Sequence, residues 1–356
     1  MNNPPSHGYR KGRGAVTNVA GRYEATTTEA WDDGWGTIEE DLPPLRTTVQ
    51  VDKTKTIIAR NQSPDVGFDR SINPYRGCEH GCAYCFARPT HAYLGLSPGQ
   101  DFESRLFMKP DAAKLLRAEL SSSRYRCRVI AMGTNTDPYQ PLERKERITR
   151  SVLEVLSAFD HPVGITTKSA LVARDIDILG PMARERLAKV FISVTTLDRH
   201  LANRLEPRAS TPARRLEAVK RLTDAGIPTG VMVAPIIPGL TDSEVEAIIA
   251  AAATAGAVST GYVLLRLPLE IKSLFEEWLR ENEPLKAAKV WSLMRQSRDG
   301  KLYDAAFGSR QRGSGAYATL IRQRVDAAAK RHGLNARPWS LDVTKFRVPT
   351  DQLSLF

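Results

Sequence analysis

Three of the chain's four cysteines fall within eight residues, in the stretch GCEHGCAYCFARP. Cys78, Cys82 and Cys85 stand in a C-x3-C-x2-C arrangement. Four cysteines in 356 residues are too few for a disulfide framework, so the cluster points to metal. Thiolates this close in sequence can converge on one centre from a single loop, and Gly77 and Gly81 let the backbone wrap around it. A cubane iron–sulfur cluster has four irons. Three cysteines leave one iron open, and an open iron permits chemistry at the metal. The competing reading is zinc, with His80 as a fourth ligand beside the three thiolates. Structural zinc sites usually draw on two separated ligand pairs, whereas His80 sits inside the cysteine loop. Cys127 has no His or acidic residue near it in sequence and reads as a buried, inert thiol.

Such a loop needs a scaffold. From residue 68 onward, short β-rich runs alternate with helical stretches. The strand candidates are RSINPY (70–75), CRVIAMG (127–133), PVGITTK (162–168), KVFISVTT (189–196), PTGVMVAP (228–235) and GYVLLRL (261–267). Between them lie PDAAKLLRAELSS, RKERITRSVLEVLSAF, ALVARDIDILGPMA, PARRLEAVKRLTDAG and TDSEVEAIIAAAATAG, several with apolar residues at helical spacing. In DAGIPTG, Gly226 suits the position just past a helix end, and Pro228 prevents continuation. Six strands alternating with helices predict parallel βαβ units, and their apolar runs fit strands buried on both faces. An open six-unit barrel and a doubly wound sheet both satisfy this rhythm. In either, chemistry collects at the C-terminal ends of the strands, and the cysteine loop follows the first strand.

The rest of the composition sets the setting. At 42% hydrophobic and 26% charged residues the chain is an ordinary globular protein. Its longest apolar stretch, AIIAAAATAGAV (247–258), is far shorter than the roughly 18 residues that span a bilayer. The N-terminal residues lack the apolar run of a signal peptide, so a cytoplasmic protein without a membrane partner is expected. The net charge of +11 is carried by the two ends. Arg10, Lys11, Arg13 and Arg22 meet no acidic residue within 1–22, and residues 290–356 hold 12 Lys and Arg against five Asp and Glu. Clustered positive charge is the footprint of a polyanion binder, although a solvated surface gives the same count. Residues 1–45, rich in Gly, Asn, Thr and Pro, are expected to be a disordered arm. A core over 46–270, a basic helical extension over 271–350 and a tail peptide over 351–356 complete the expected organisation.

The spacing C-x3-C-x2-C with an aromatic residue, Tyr84, before the third cysteine resembles the signature of radical S-adenosylmethionine enzymes. The resemblance extends over about residues 68–270. It implies an α/β fold, a partial (βα)6 TIM-like barrel. It also implies a [4Fe-4S] cluster on Cys78, Cys82 and Cys85 whose open iron binds S-adenosyl-L-methionine. One electron from a donor protein would then cleave that cofactor to a 5′-deoxyadenosyl radical that abstracts a substrate hydrogen.

Within the superfamily, the stretches ITTKS, FISVTT, RLEPRAS…RRLEAV and VMVAPIIPG look like the spore photoproduct lyase branch, which repairs DNA. By that resemblance Lys168 and Ser193 would hold the methionine part of the cofactor and Tyr84 would lie near the adenine. Thr195, Glu206 and Arg215 fall in the same stretches as further cofactor-site candidates. One departure concerns the chemistry. Where the lyase has a Cys-Thr-Ser-Asp run after the second strand, this chain has TNTD, placing Thr134 where a cysteine returns hydrogen to the product. A hydroxyl is a poor hydrogen-atom donor. Asn135, Asp137, Tyr139 and Gln140 become candidate catalytic or substrate contacts on that loop, with Tyr139 a substitute donor. Asp137 and Thr136 could equally just cap the next helix.

The sequence ends in DQLSLF. Gln352, Leu353, Leu355 and Phe356 resemble the short peptide by which bacterial repair proteins dock to the replication sliding clamp, as an extended segment whose apolar side chains fill a pocket. The functional expectation is a radical enzyme acting on DNA lesions. The alternatives are a radical enzyme acting on RNA or protein, and a metal-stabilised DNA-binding protein without catalysis.

Overall fold

The computed structural model describes residues 12–24 and 45–349. Six parallel strands form the centre: β1 (Arg70–Ile72), β2 (Ile130–Met132), β3 (Val163–Thr167), β4 (Ala188–Ser193), β5 (Thr229–Ile236) and β6 (Ser259–Leu264). They pair strictly in sequence order, with the antiparallel strand Ile58–Arg60 outside β1. A doubly wound sheet would reverse its order at a switch point. This sheet does not, so the fold is the partial (βα)6 barrel. The register places Ile72 beside Met132, Met132 beside Ile165 and Ile165 beside Val190, a row of apolar side chains almost wholly buried.

Helices α1 (Ala112–Leu120), α2 (Ile148–Ala158), α3 (Ile176–Arg184), α4 (Pro212–Asp224) and α5 (Val245–Thr254) return the chain between strands. In α2, Val152, Leu153, Val155 and Leu156 face the core at helical spacing. The α4 terminus follows the expectation for Gly226. That residue takes φ 77°, its N–H donates to Thr223 O and the Ile227 N–H to Leu222 O, closing the last turn. The third crossover differs from the single helix expected: a 3-10 turn, Ala170–Asp175, precedes α3.

Beyond the barrel come α6 (Ile271–Asn282), α7 (Pro284–Gln296) and α8 (Ala316–Arg331). Helix α8 packs on α5 and β6, where a sixth barrel helix would lie. Helices α6 and α7 build a second core in which Phe275, Trp278, Leu279 and Met294 pack with Leu205, Cys82 and Tyr84. The extension is helical only to Arg331. After it, Phe346 packs on Phe159 and His161 near the N-terminal ends of the strands. Part of the N-terminal arm is described. Within residues 12–24, Arg13, Gly14, Ala15 and Val16 are buried, because a buried carboxylate captures them. Residues 1–11, 25–44 and 350–356 lie outside the described residues.

Candidate functional site

The C-terminal ends of all six strands open onto one cavity of about 240 Å3. Cys78, Cys82 and Cys85 line it from the loop after β1, together with His80, Tyr84 and Phe86. Thr134, Asn135 and Asp137 come from the loop after β2, Lys168 from the end of β3 and Ser193 from β4, while the end of β6 contributes Arg266.

All three cysteines are free, Cys78 and Cys82 buried and Cys85 half-buried. Burial pushes each thiol up, helped by Asp137 at Cys78 and by Glu206 at Cys82. Thiols in this setting ionise when a metal binds them. Soft sulfur donors on one loop, facing a cavity, fit an iron–sulfur cluster. Among the described residues, no three His, Cys, Asp or Glu side chains converge on a point where one ion would sit. A cubane is wider than one ion and spreads its ligands over separate irons. The His80 ring, the fourth ligand of the zinc alternative, instead has Nδ1 3.3 Å from an Asp137 carboxylate oxygen.

The loop is held from several directions. The Glu79 N–H donates to Gln140 Oε1 at 2.9 Å and Gln140 Nε2 to Gly77 O at 3.3 Å. The Cys78 N–H donates to Phe102 O and the Ala83 N–H to Leu205 O, both at 2.9 Å. Gly81 has φ 66°, and a Cβ there would come within 2.5 Å of Glu103 Oε2. Glu103, wholly buried, accepts from Arg88 Nη2 at 2.5 Å and from the N–H groups of Gly14 at 2.9 Å and Ala15 at 2.7 Å. Arg88 Nε donates to Cys82 O at 3.0 Å. Sequence reasoning missed Arg88 and Glu103. Only the position of Arg88, three residues past the last cysteine, offered a signal.

Tyr84, Lys168, Thr195, Glu206 and Arg215 gather into one network. Glu206 accepts from Tyr84, from Arg215 and, at 2.7 Å, from Thr195 Oγ1. Lys168 Nζ lies 3.8 Å from it and donates to Ala234 O at 3.1 Å. Burial alone would raise the Glu206 carboxyl, but Arg215 and Lys168 outweigh it and hold it at about 2. Arg215 also donates to Ser193 O at 3.0 Å. Lys168, Ser193 and Tyr84 line the cavity, while Thr195, Glu206 and Arg215 stand behind them.

The loop after β2 divides. Asn135 and Asp137 face the cavity. Asp137 accepts from the Tyr139 N–H at 2.8 Å, from Thr167 Oγ1 at 2.6 Å and from the Lys168 N–H at 2.7 Å, so it ties this loop to the end of β3. Burial would raise its carboxyl, but His80, Thr167 and the Lys168 N–H hold it at about 2. Tyr139 does not line the cavity: it is fully buried and its hydroxyl donates to Asp175 at 3.1 Å. The expected substitute donor therefore points into the protein, drawn there by a buried carboxylate. Gln352, Leu353, Leu355 and Phe356 lie outside the described residues.

A barrel whose strand ends gather a three-cysteine loop defines a class of cofactor-dependent enzymes, and comparison with known proteins agrees. Residues 72–252 match the model of the radical SAM superfamily, and the chain belongs to that superfamily of enzymes. An uncharacterised protein of Mycobacterium tuberculosis is 35% identical over 243 residues, 67% of this chain and 72% of that protein. One of Methanocaldococcus jannaschii is 26% identical over 67% of this chain and 86% of its own length. In fold, the chain is similar to a spore photoproduct lyase mutant solved with bound AdoMet and dinucleoside spore photoproduct, with TM-score 0.56, 15% identity and 80% of each chain covered. Among the described residues, no helix is long and apolar enough to cross a membrane.

Proposed function

We propose that this chain holds a [4Fe-4S] cluster on Cys78, Cys82 and Cys85, cleaves S-adenosyl-L-methionine reductively with an electron from a donor protein, and acts on damaged DNA. The observation that carries the reading is the placement of three free thiols on one loop facing the cavity into which all six strands open. When bound, cluster and cofactor supply one-electron reduction and hydrogen-atom abstraction. The chain's own residues bind and orient. Lys168 uses one donor on Ala234 O and keeps others for a carboxylate, with the Ser193 hydroxyl beside it on the cavity wall. Tyr84, locked by Glu206 and Thr195, presents its ring for the adenine. Glu206 and Arg215 position Lys168 and Tyr84. Asn135 and Asp137 shape the substrate side.

The DNA substrate is supported by the basic ends of the chain and by fold likeness to a lyase solved with a dinucleoside photoproduct. Thr134 lines the cavity where that branch has cysteine, and no thiol beyond the cluster three lines it among the described residues. Hydrogen return therefore takes a route without a wall thiol. Anaerobic reconstitution with iron and sulfide, then dithionite and S-adenosylmethionine, should yield 5′-deoxyadenosine, and Cys82→Ala should abolish it. Zinc uptake alone, or a cluster that never cleaves the cofactor, overturns the reading in favour of non-catalytic DNA binding. Recruitment through Gln352, Leu353, Leu355 and Phe356 to the sliding clamp belongs to the same proposal. Replacing Leu355 and Phe356 by Ala should remove clamp capture and leave 5′-deoxyadenosine formation intact.

A further inference from the structure

Phe86 directly follows the third cluster cysteine. It lines the cavity, yet 45% of it is exposed, whereas Cys82, Ala83 and Tyr84 before it are buried. Arg266, two residues beyond β6, approaches from the opposite end of the sheet and sets its guanidinium carbon 5.1 Å from the Phe86 ring centroid. This arginine has no ion-pair partner among the described residues, and its Nε is buried without a hydrogen-bond partner. Other arginines of the chain are matched: Arg22 with Glu270, Arg204 with Glu283 and Arg310 with Asp65. Behind Arg266 stands a second unmatched guanidinium. Arg298 is buried and fixed by carbonyls, donating to Leu265 O at 2.6 Å and Arg310 O at 3.3 Å. Burial, and then the charge of Arg266, lower its pKa, while Tyr303 and Asp304 pull the other way. Neither guanidinium makes an ion pair among the described residues, so positive charge remains here that an incoming anion would neutralise.

We propose that Arg266 and Phe86 form a nucleotide clamp at the mouth of the cavity, the guanidinium taking a backbone phosphate and the ring stacking on a base. A planar cation already lying over an aromatic face is a preformed seat for a flat ring bearing an anion. The clamp rests on the reading that the substrate is nucleic acid and names the residues that would grip it beside the reacting atoms.

The test is fluorescence anisotropy of the full-length, cluster-loaded protein with a labelled single-stranded oligonucleotide across a salt series, alongside equilibrium dialysis of S-adenosylmethionine. Arg266→Gln should lower the magnitude of the logarithmic salt slope by about 0.7, the value for one phosphate contact on a single strand. Arg266→Lys should keep the slope but bind more weakly. Phe86→Ala should weaken binding by roughly 5- to 150-fold at unchanged slope, and Phe86→Trp should restore it. Iron content and thermal melts confirm that each variant is folded and loaded. The clamp is overturned if the slope and affinity of both removals match wild type. It is also overturned if Arg266→Gln weakens S-adenosylmethionine and leaves the oligonucleotide unaffected, since the anion is then the cofactor's carboxylate. Wild type that cleaves the cofactor but binds no oligonucleotide at low salt overturns the nucleic-acid reading itself, and the clamp with it.

Discussion

Glu206 is a carboxylate with no access to water, bonded to Tyr84, Thr195 and Arg215 and close to Lys168. Its removal would leave Arg215 charged and buried without its carboxylate, the costly half of a broken buried pair. Glu206→Leu should therefore lower unfolding free energy by roughly 3–5 kcal/mol in urea titrations. Lys168 is a different case. It retains some exposure and already bonds a carbonyl, so Lys168→Met should fold with little loss. It should instead weaken S-adenosylmethionine binding by about 10- to 150-fold, the worth of one charge-assisted hydrogen bond, read by equilibrium dialysis. Unchanged affinity in Lys168→Met would remove that residue from the cofactor site.

Among the elements, the segment 12–24 matters most for the cysteine loop. It has no regular secondary structure, so its backbone groups must bond elsewhere. Glu103 supplies the acceptors for Gly14 and Ala15, while Gly14 lies against Gly81 so closely that a Cβ would overlap the Gly81 carbonyl. The segment is thus a strap laid over the cysteine loop. Glu103→Ala would free it and leave Arg88 unpaired beside the Cys82 carbonyl. In the metal-free protein this variant should be cut by trypsin at Arg13 and alkylated at the cysteines at least tenfold faster than wild type. Equal rates would mean that the strap holds by other contacts.

At the scale of the whole molecule, acid should loosen the end of the barrel opposite the cavity. His161 is fully buried there, with Nε2 2.8 Å from the Tyr125 hydroxyl and Nδ1 3.0 Å from Pro162 O, and Phe346 packs on its ring. Burial lowers its pKa from 6.5 to about 4. The unfolded chain then binds the extra proton first. Stability from this group is complete above about pH 6.5 and is lost as pH falls towards 4, by up to about 3 kcal/mol. Urea midpoints should fall over that window, and His161→Phe should flatten the fall. A profile identical in the variant would assign the acid sensitivity elsewhere.

The sequence by itself determined the cysteine loop, the six-fold alternation of strands and helices, and the helix end at Gly226. These are local: spacing, period and one left-handed residue carry them. It also named Tyr84, Lys168, Thr195, Glu206 and Arg215, but as separate points along the chain. Only the tertiary structure decided that the strands pair in sequential order, which makes the barrel open and brings every strand end to one mouth. Only it joined Tyr84 to Glu206 across 122 positions, turned Tyr139 inward to Asp175, seated Gly14 on Glu103 and brought Arg266 over Phe86. The reason is physical. A buried charge takes whichever partner the closing barrel puts within reach, and no local pattern records how far along the chain that partner lies.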